Sequence, residues 1–147
     1  MKFSEAKLED LESLSKLLSD LFNQEIEFSP DSKKQLNSLK KIISNKNIGK
    51  IYTAKIDKEI AGMVSLVYTE STALGGRVAL LEDMIIKKEF RGAGIGSKLI
   101  DYAINEAKKT NCMRITLLTD KENLIARKFY ESKGFKQSEM IPFRLKL

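Results

Sequence analysis

Apolar residues recur at Leu8, Leu11, Leu14, Leu17, Leu18, Leu21 and Phe22. That three-to-four-residue spacing predicts an amphipathic helix, preceded by a short strand at residues 2–6. Ser29-Pro30-Asp31 predicts the start of a second helix, with a serine N-cap, a proline at the first helical position and an acid in the first turn. Leu36, Leu39, Ile42 and Ile43 then share one side. The period shortens after this point. Residues 51–56 read as a strand, Asp57-Lys58-Glu59 as a turn and 60–69 as the returning strand. Gly75-Gly76 breaks the chain, and 78–86 form a third apolar strand interrupted only by Glu82 and Asp83. A helix carries Ile95, Leu99, Ile100, Ala103, Ile104 and Ala107, followed by a strand at 113–119. Residues 123–133 form another helix, stopped by Gly134 at the C′ position. In the tail, Phe143, Leu145 and Leu147 alternate with Arg144 and Lys146, which predicts a final strand. The order β-α-α-β-β-β-α-β-α-β-β implies an α/β chain of the α+β type. Its sheet is mixed and partly antiparallel with helices on both faces, not a doubly wound parallel sheet.

A chain of 147 residues, 42% apolar and 31% charged, is sized and composed for one globular domain, taken here as 1–147. No apolar run approaches the ~20 residues that span a bilayer. No apolar signal core follows Met1-Lys2-Phe3-Ser4-Glu5, so the cytoplasm is the default location. Cys112 is the lone cysteine. It reads as a small buried hydrophobe in preference to a nucleophile. The absence of histidine excludes Cys-His and Ser-His-Asp machinery and any His-containing metal site, and no metal is expected. Any general base is therefore a carboxylate, a tyrosine, a lysine or relayed water. The net charge of +6 is scattered along the chain. It favours a phosphorylated ligand weakly and nucleic acid poorly, since no interleaved aromatic and basic strand motif is present.

The segment Arg91-Gly92-Ala93-Gly94-Ile95-Gly96-Ser97 joins a predicted strand to a predicted helix. Glycines let the backbone turn tightly and approach a ligand closely. The amides that follow point outward at the positive end of the helix dipole, an arrangement suited to a pyrophosphate. A dinucleotide fold requires G-x-G-x-x-G and a P-loop requires G-x-x-x-x-G-K-[ST]; neither spacing is met. A purely structural turn is the plainer alternative.

Here the chain resembles the GNAT (GCN5-related N-acetyltransferase) superfamily, in its bacterial single-domain form. The family signature Q/R-x-x-G-x-G/A is met by Arg91, Gly94 and Gly96. A second element is met by Asn123, Ala126, Phe129, Tyr130, Gly134 and Phe135. The resemblance extends over the whole chain and is strongest over 80–135. It implies a GNAT-like acyl-CoA N-acyltransferase fold, a central partly antiparallel sheet flanked by helices. It also implies acetyl-CoA as cosubstrate and transfer of the acetyl group to a primary amine by direct attack in a ternary complex. The backbone of Met84, Ile85 and Ile86 would face the pantetheine arm and the acetyl carbonyl. Arg91, Gly92, Ala93, Gly94, Ile95, Gly96 and Ser97 would cradle the pyrophosphate. The strands carrying the two motifs would splay apart, with the thioester in the gap.

Attack by an amine on a thioester needs a neutral amine, a stabilised oxyanion and a protonated leaving thiolate. An aliphatic amine has a pKa near ~10, so a base or a water relay assists it at neutral pH. Glu82 and Asp83 point to opposite faces of their strand, and one should face the cleft. The family often places a catalytic glutamate on this strand, which favours Glu82. Asp83 stays a candidate, and either carboxylate alone is about as well explained by ordering a neighbouring loop. Tyr130 stands where the family usually has its general acid; the plainer reading packs it in the core beside Phe129. Asn123 caps its helix, and in the family the same asparagine often contacts the cofactor. The oxyanion donor implied by the resemblance is a backbone N–H near 84–86.

The acceptor, a small molecule or a peptide amine, should meet the N-terminal helices, the loop after the second helical segment and the loop at 70–77. Glu25, Glu27 and Phe28 could bind a cationic amine, but solvated charges and a core anchor explain them better. No membrane or nucleic-acid partner is expected. Homodimers are common in the family, and the terminal strand is a candidate for joining one. A non-catalytic acyl-CoA-binding sensor or scaffold is the alternative. Against it stand Tyr130 and the Glu82-Asp83 pair, which a sensor need not keep.

Overall fold

A computed structural model describes residues 1–24 and 31–147. The elements are β1 (Lys2–Glu5), α1 (Leu11–Gln24), α2 (Ser32–Ser44), β2 (Gly49–Ile56), β3 (Glu59–Ser71), β4 (Gly76–Ile86), α3 (Ile95–Lys109), β5 (Ile115–Leu117) and α4 (Leu124–Ser132). They fall into two compact units, Met1–Leu117 and Leu118–Leu147.

The first unit is built on one five-stranded sheet in the order β1-β2-β3-β4-β5. Its first four strands pair antiparallel, and β5 joins β4 in parallel through the α3 crossover. This is the mixed sheet that the periodicities imply. Strand alternation sorts the side chains into two faces. Ile51, Met63 and Ile85 on one face form a core with Leu14, Leu17 and Leu18 of α1 and Leu39 of α2. The opposite face carries Tyr52, whose ring meets Tyr102 of α3 edge-on at 5.5 Å, while Tyr102 also stacks on Phe3 of β1 at 5.7 Å. Along α3, Ile95, Leu99, Ile100, Ala103 and Ala107 are buried, the i, i+4 stripe visible in the sequence. A half-buried ion pair fastens the amino end: Lys55 Nζ donates to Asp10 Oδ1 at 2.7 Å, and Asp10 Oδ2 accepts the Lys7 amide at 2.8 Å.

Some element boundaries differ from the sequence-based expectation. A 3-10 turn, Leu8–Asp10, precedes α1. Glu25, Glu27, Phe28, Ser29 and Pro30 lie outside the described residues, and Asp31 itself is the N-cap of α2, its Oδ1 accepting the Lys34 amide at 3.2 Å. A carboxylate at that position satisfies a first-turn amide that would otherwise lack a partner. β5 is three residues long instead of seven, because its ladder with β4 spans only Ala79–Leu81.

In the second unit, Asn123 caps α4 by accepting the Ala126 amide at 3.1 Å. Gly134 ends the helix at φ 91°. The amide of Gly134 bonds to the Glu131 carbonyl and that of Phe135 to the Tyr130 carbonyl, the paired bonds of a Schellman stop. The strands expected after this helix do not form: residues 135–147 carry no strand, and Phe143, Leu145 and Leu147 are exposed. Alternation supplies only the side-chain half of a strand. The other half is a hydrogen-bonding neighbour, and Pro142 removes one donor from the segment.

The β2–β3 hairpin closes with two residues, Asp57 and Lys58, at φ 47° and 71°. Two left-handed positions define the tight turn that matches strand twist, for which Asp-Gly is a preferred pair. Lysine is strained at the second of these positions. Replacing Lys58 by Gly should raise stability by about 0.5–1 kcal/mol in urea denaturation, the relieved strain exceeding the added chain entropy. An unchanged or lowered midpoint would show that the turn carries no strain.

Candidate active site

The two faces of β4 and its free edge organise the first unit's candidate site. Met63 pairs with Ile85 and Ser65 with Asp83, but Leu66 pairs with Leu81. Glu82 is therefore the extra residue of a β-bulge, a device that re-aims side chains and interrupts pairing. The parallel ladder to β5 ends one residue earlier, at Leu81–Leu117. From Glu82 to Ile86, β4 has no ladder partner in β5.

The direction of the backbone groups follows from one bond. The Lys87 amide donates to the Ala61 carbonyl at 2.8 Å. Antiparallel pairing alternates, so Ile85 also turns its backbone to β3, opposite Met63, while Met84 and Ile86 turn theirs to the open edge. Arg91 Nε donates to the Ile86 carbonyl at 2.8 Å, consistent with an oxygen outside the ladder. Of the three residues expected at the pantetheine arm, Met84 and Ile86 turn their backbone groups away from β3. Ile85 instead buries its side chain in the core under α1 and α2.

The glycine turn stands beside this edge. Gly92 and Gly94 hold φ of 82° and 74°, and a Cβ at either would meet nothing within 4 Å. The constraint there is the backbone angle, not space. Gly94 is the N-cap of α3 and offers no side-chain bond, and the first turn contains no acid. The first helical bond runs from the Lys98 amide to the Gly94 carbonyl, leaving the amides of Ile95, Gly96 and Ser97 without helical partners. At Gly96 a Cβ would lie 3.4 Å from Ile86 Cγ1 and 3.7 Å from Met84 Cε. The start of α3 thus packs closely against the two residues that line the open edge. Arg91, Gly92, Ala93 and Gly94 are exposed. A turn of this kind, with outward amides, no competing carboxylate and solvent access, can hold a pyrophosphate.

The two carboxylates differ sharply. Glu82 is exposed. Asp83 lies on the face shared with Met63 and Ile85, the face covered by α1 and α2. Ser65 Oγ donates to Asp83 Oδ2 at 3.1 Å and accepts the Asp83 amide at 3.1 Å. Burial pushes the Asp83 carboxyl up to about 6; the Ser65 hydrogen bond opposes this and the nearby Glu82 charge adds to it. Sequence reasoning missed Ser65. Its signal is a hydroxyl inside the apolar run Met63-Val64-Ser65-Leu66-Val67.

In the second unit, Tyr130 holds its ring edge-on to Phe129 at 5.2 Å and to Phe135 at 5.7 Å. Burial raises its pKa above the usual phenol value, so it stays protonated at neutral pH. Asn123 Oδ1 is engaged by the α4 cap. Cys112 is half-buried, with its Sγ 3.4 Å from the Arg114 carbonyl. Among the described residues no helix is long and apolar enough to cross a membrane.

An amide-lined glycine turn packed against a strand edge suits an extended ligand that carries a pyrophosphate. The sequence model of the Acetyltransferase (GNAT) family matches residues 11–135, and the chain belongs to that family. An uncharacterised N-acetyltransferase of Archaeoglobus fulgidus is 24% identical over 140 residues, covering 95% of each chain. The crystal structure of a probable acetyltransferase superposes with a TM-score of 0.86 at 27% identity, covering 100% of this chain and 98% of that one. A structure described as a predicted acetyltransferase with acetyl-CoA, from Clostridium acetobutylicum, gives a TM-score of 0.80 at 22% identity over 97% of this chain and 95% of its own.

The raised Asp83 pKa is also a stability statement. An acid that titrates at about 6 when folded, against ~3.9 unfolded, binds its proton more tightly in the native state. Its contribution is complete below about pH 4 and is lost as pH rises through about 6. Asp83→Asn should therefore be more stable than the parent at pH 7.5, by roughly 1–3 kcal/mol, with the gap closing near pH 4. Parallel stability profiles for the two proteins over that range would contradict the assigned burial.

Proposed function

We propose that the protein transfers the acetyl group of acetyl-CoA to a primary amine by direct attack while both substrates are bound. Residues 1–147 would act as one catalytic domain in the cytoplasm, without a metal ion. The observation that carries this reading is the close packing of the α3 start, with its unpartnered amides, against Met84 and Ile86 on the open edge of β4. One extended ligand with a pyrophosphate and an amide-bearing arm suits both features. Turn amides from Gly92 to Ser97 hold the pyrophosphate. The Met84 N–H and C=O and the Ile86 N–H take the arm, and one of these amides is positioned to stabilise the oxyanion.

The environments of the two carboxylates reverse the preference that the family resemblance suggests. A base works best with a pKa near the operating pH, and a carboxyl at about 6 approaches that condition. Asp83 also lies on the α1/α2 face, where the N-terminal helices would receive the acceptor. We assign Asp83 as the proton acceptor, directly or through one water, and Glu82 as an exposed negative charge that favours approach of the ammonium form. Tyr130, kept neutral by burial, returns a proton to the departing thiolate.

The test is thiol release from acetyl-CoA with polyamines, amino acids, aminoglycosides, amino sugars and a lysine-rich peptide, against an amine-free control. Release above the control with one class supports the transferase and identifies the acceptor chemistry. Acetyl-CoA binding with no release across the panel would move the reading to a non-catalytic acyl-CoA binder. With an active acceptor, Tyr130→Phe should lower kcat by about 10²-fold while leaving acetyl-CoA affinity unchanged; equal turnover removes the acid role. The kcat/KM profile should rise with pH to a plateau through an apparent pKa near 6, and Asp83→Asn should abolish that limb where Glu82→Gln does not.

A further inference from the structure

We propose that Arg91 serves the acyl-CoA site as a clamp and not as a phosphate-binding charge. Its Nε–H holds the Ile86 carbonyl and so fixes the glycine turn against the open edge of β4. The inference rests on the acetyl-CoA reading above and adds to it a role for one side chain.

Arg91 and Ile86 are five residues apart, and between them the chain leaves the sheet. The intervening 3-10 turn, Lys88–Phe90, has no side-chain cap and no buried residue to anchor it. Two backbone bonds shape it, from the Phe90 amide to the Lys87 carbonyl and from the Arg91 amide to the Lys88 carbonyl at 3.3 Å. Both are internal to the turn. They fold it without tying it to β4. Lys87 pairs with Glu59 and Glu89, which holds the beginning of the turn but not its end. The Arg91 side chain reaches back across the turn, at 2.8 Å, to the last residue of β4.

The bonded atom matters as much as the bond. The Ile86 carbonyl points to the open edge, so the clamp occupies an acceptor that would otherwise compete for the ligand's amide groups. It also presets the separation between the β4 edge and the amides of the α3 start. A ligand that bridges both features binds more tightly when that separation is fixed before it arrives.

Nε is the fourth side-chain atom beyond Cα, and the same count reaches Nε2 in glutamine and Cε in methionine and lysine. Gln therefore restores a donor at the Nε position without charge. Met fills the position with neither donor nor charge, and Lys keeps the charge while placing a methylene there. We would measure the Kd of CoA by titration calorimetry for the parent protein and for Arg91→Gln, Arg91→Met and Arg91→Lys, with thermal unfolding of each ligand-free protein as a folding control. The clamp predicts affinity within about threefold of the parent for Arg91→Gln and a loss of about tenfold or more for Arg91→Met, at equal ligand-free stability. Gln and Met variants weakened alike, with Lys close to the parent, would overturn the clamp and return Arg91 to a charge-based role. If the parent protein itself fails to bind CoA, the cosubstrate reading fails with it, which is a distinct result.

Discussion

An interrupted β-ladder is costly unless other groups meet its hydrogen bonds, because a desolvated amide or carbonyl without a partner loses free energy comparable to a whole hydrogen bond. In this protein the ladder between β4 and β5 stops at Leu81, five residues before β4 ends. The bulge at Glu82 coincides with that break. The stretch of β4 that β5 does not pair is a row of donors and acceptors held in fixed geometry by β3 on the other side. The rest of the first unit keeps this edge in place. α1 and α2 pack under Ile85, α3 packs against Met84 and Ile86, and Arg91 ties off the final carbonyl.

The chemistry follows from where charge is placed and where it is withheld. The first turn of α3 has no acid and its N-cap has no side chain, so nothing in that turn competes with an incoming anion for the helix amides. On the α1/α2 face of β4 lies a carboxyl whose proton is held more tightly than usual by burial, and whose orientation is fixed by Ser65 through two hydrogen bonds. The same burial that would suit Asp83 to the base role proposed for it costs folding stability at neutral pH. In that proposal, function and stability oppose each other at one residue.

Much of this was legible in the sequence, for local reasons. Periodicity placed α1, α2, α3 and the β2–β3 hairpin because each buries one face. The glycines at 92 and 94 located the turn because left-handed backbone at φ 82° and 74° calls for glycine. Asn123 and Gly134 marked the two ends of α4 by capping chemistry. What stayed hidden is non-local. The bulge depends on which residue of β3 opposes Glu82, and the early end of β5 depends on its register with β4. Ser65 became visible as a partner of Asp83 only through cross-strand pairing. Phe143, Leu145 and Leu147 alternate as a strand does but lack the ladder that alternation alone cannot supply.

The most direct measurement is an NMR titration of the backbone amides with CoA. Binding at the open edge and the glycine turn predicts saturable shift changes concentrated at Met84, Ile86 and Gly92 through Ser97, with Ile85, whose amide bonds into β3, moving less. Saturable shifts confined to other parts of the molecule, or none at all, would contradict the placement of the site.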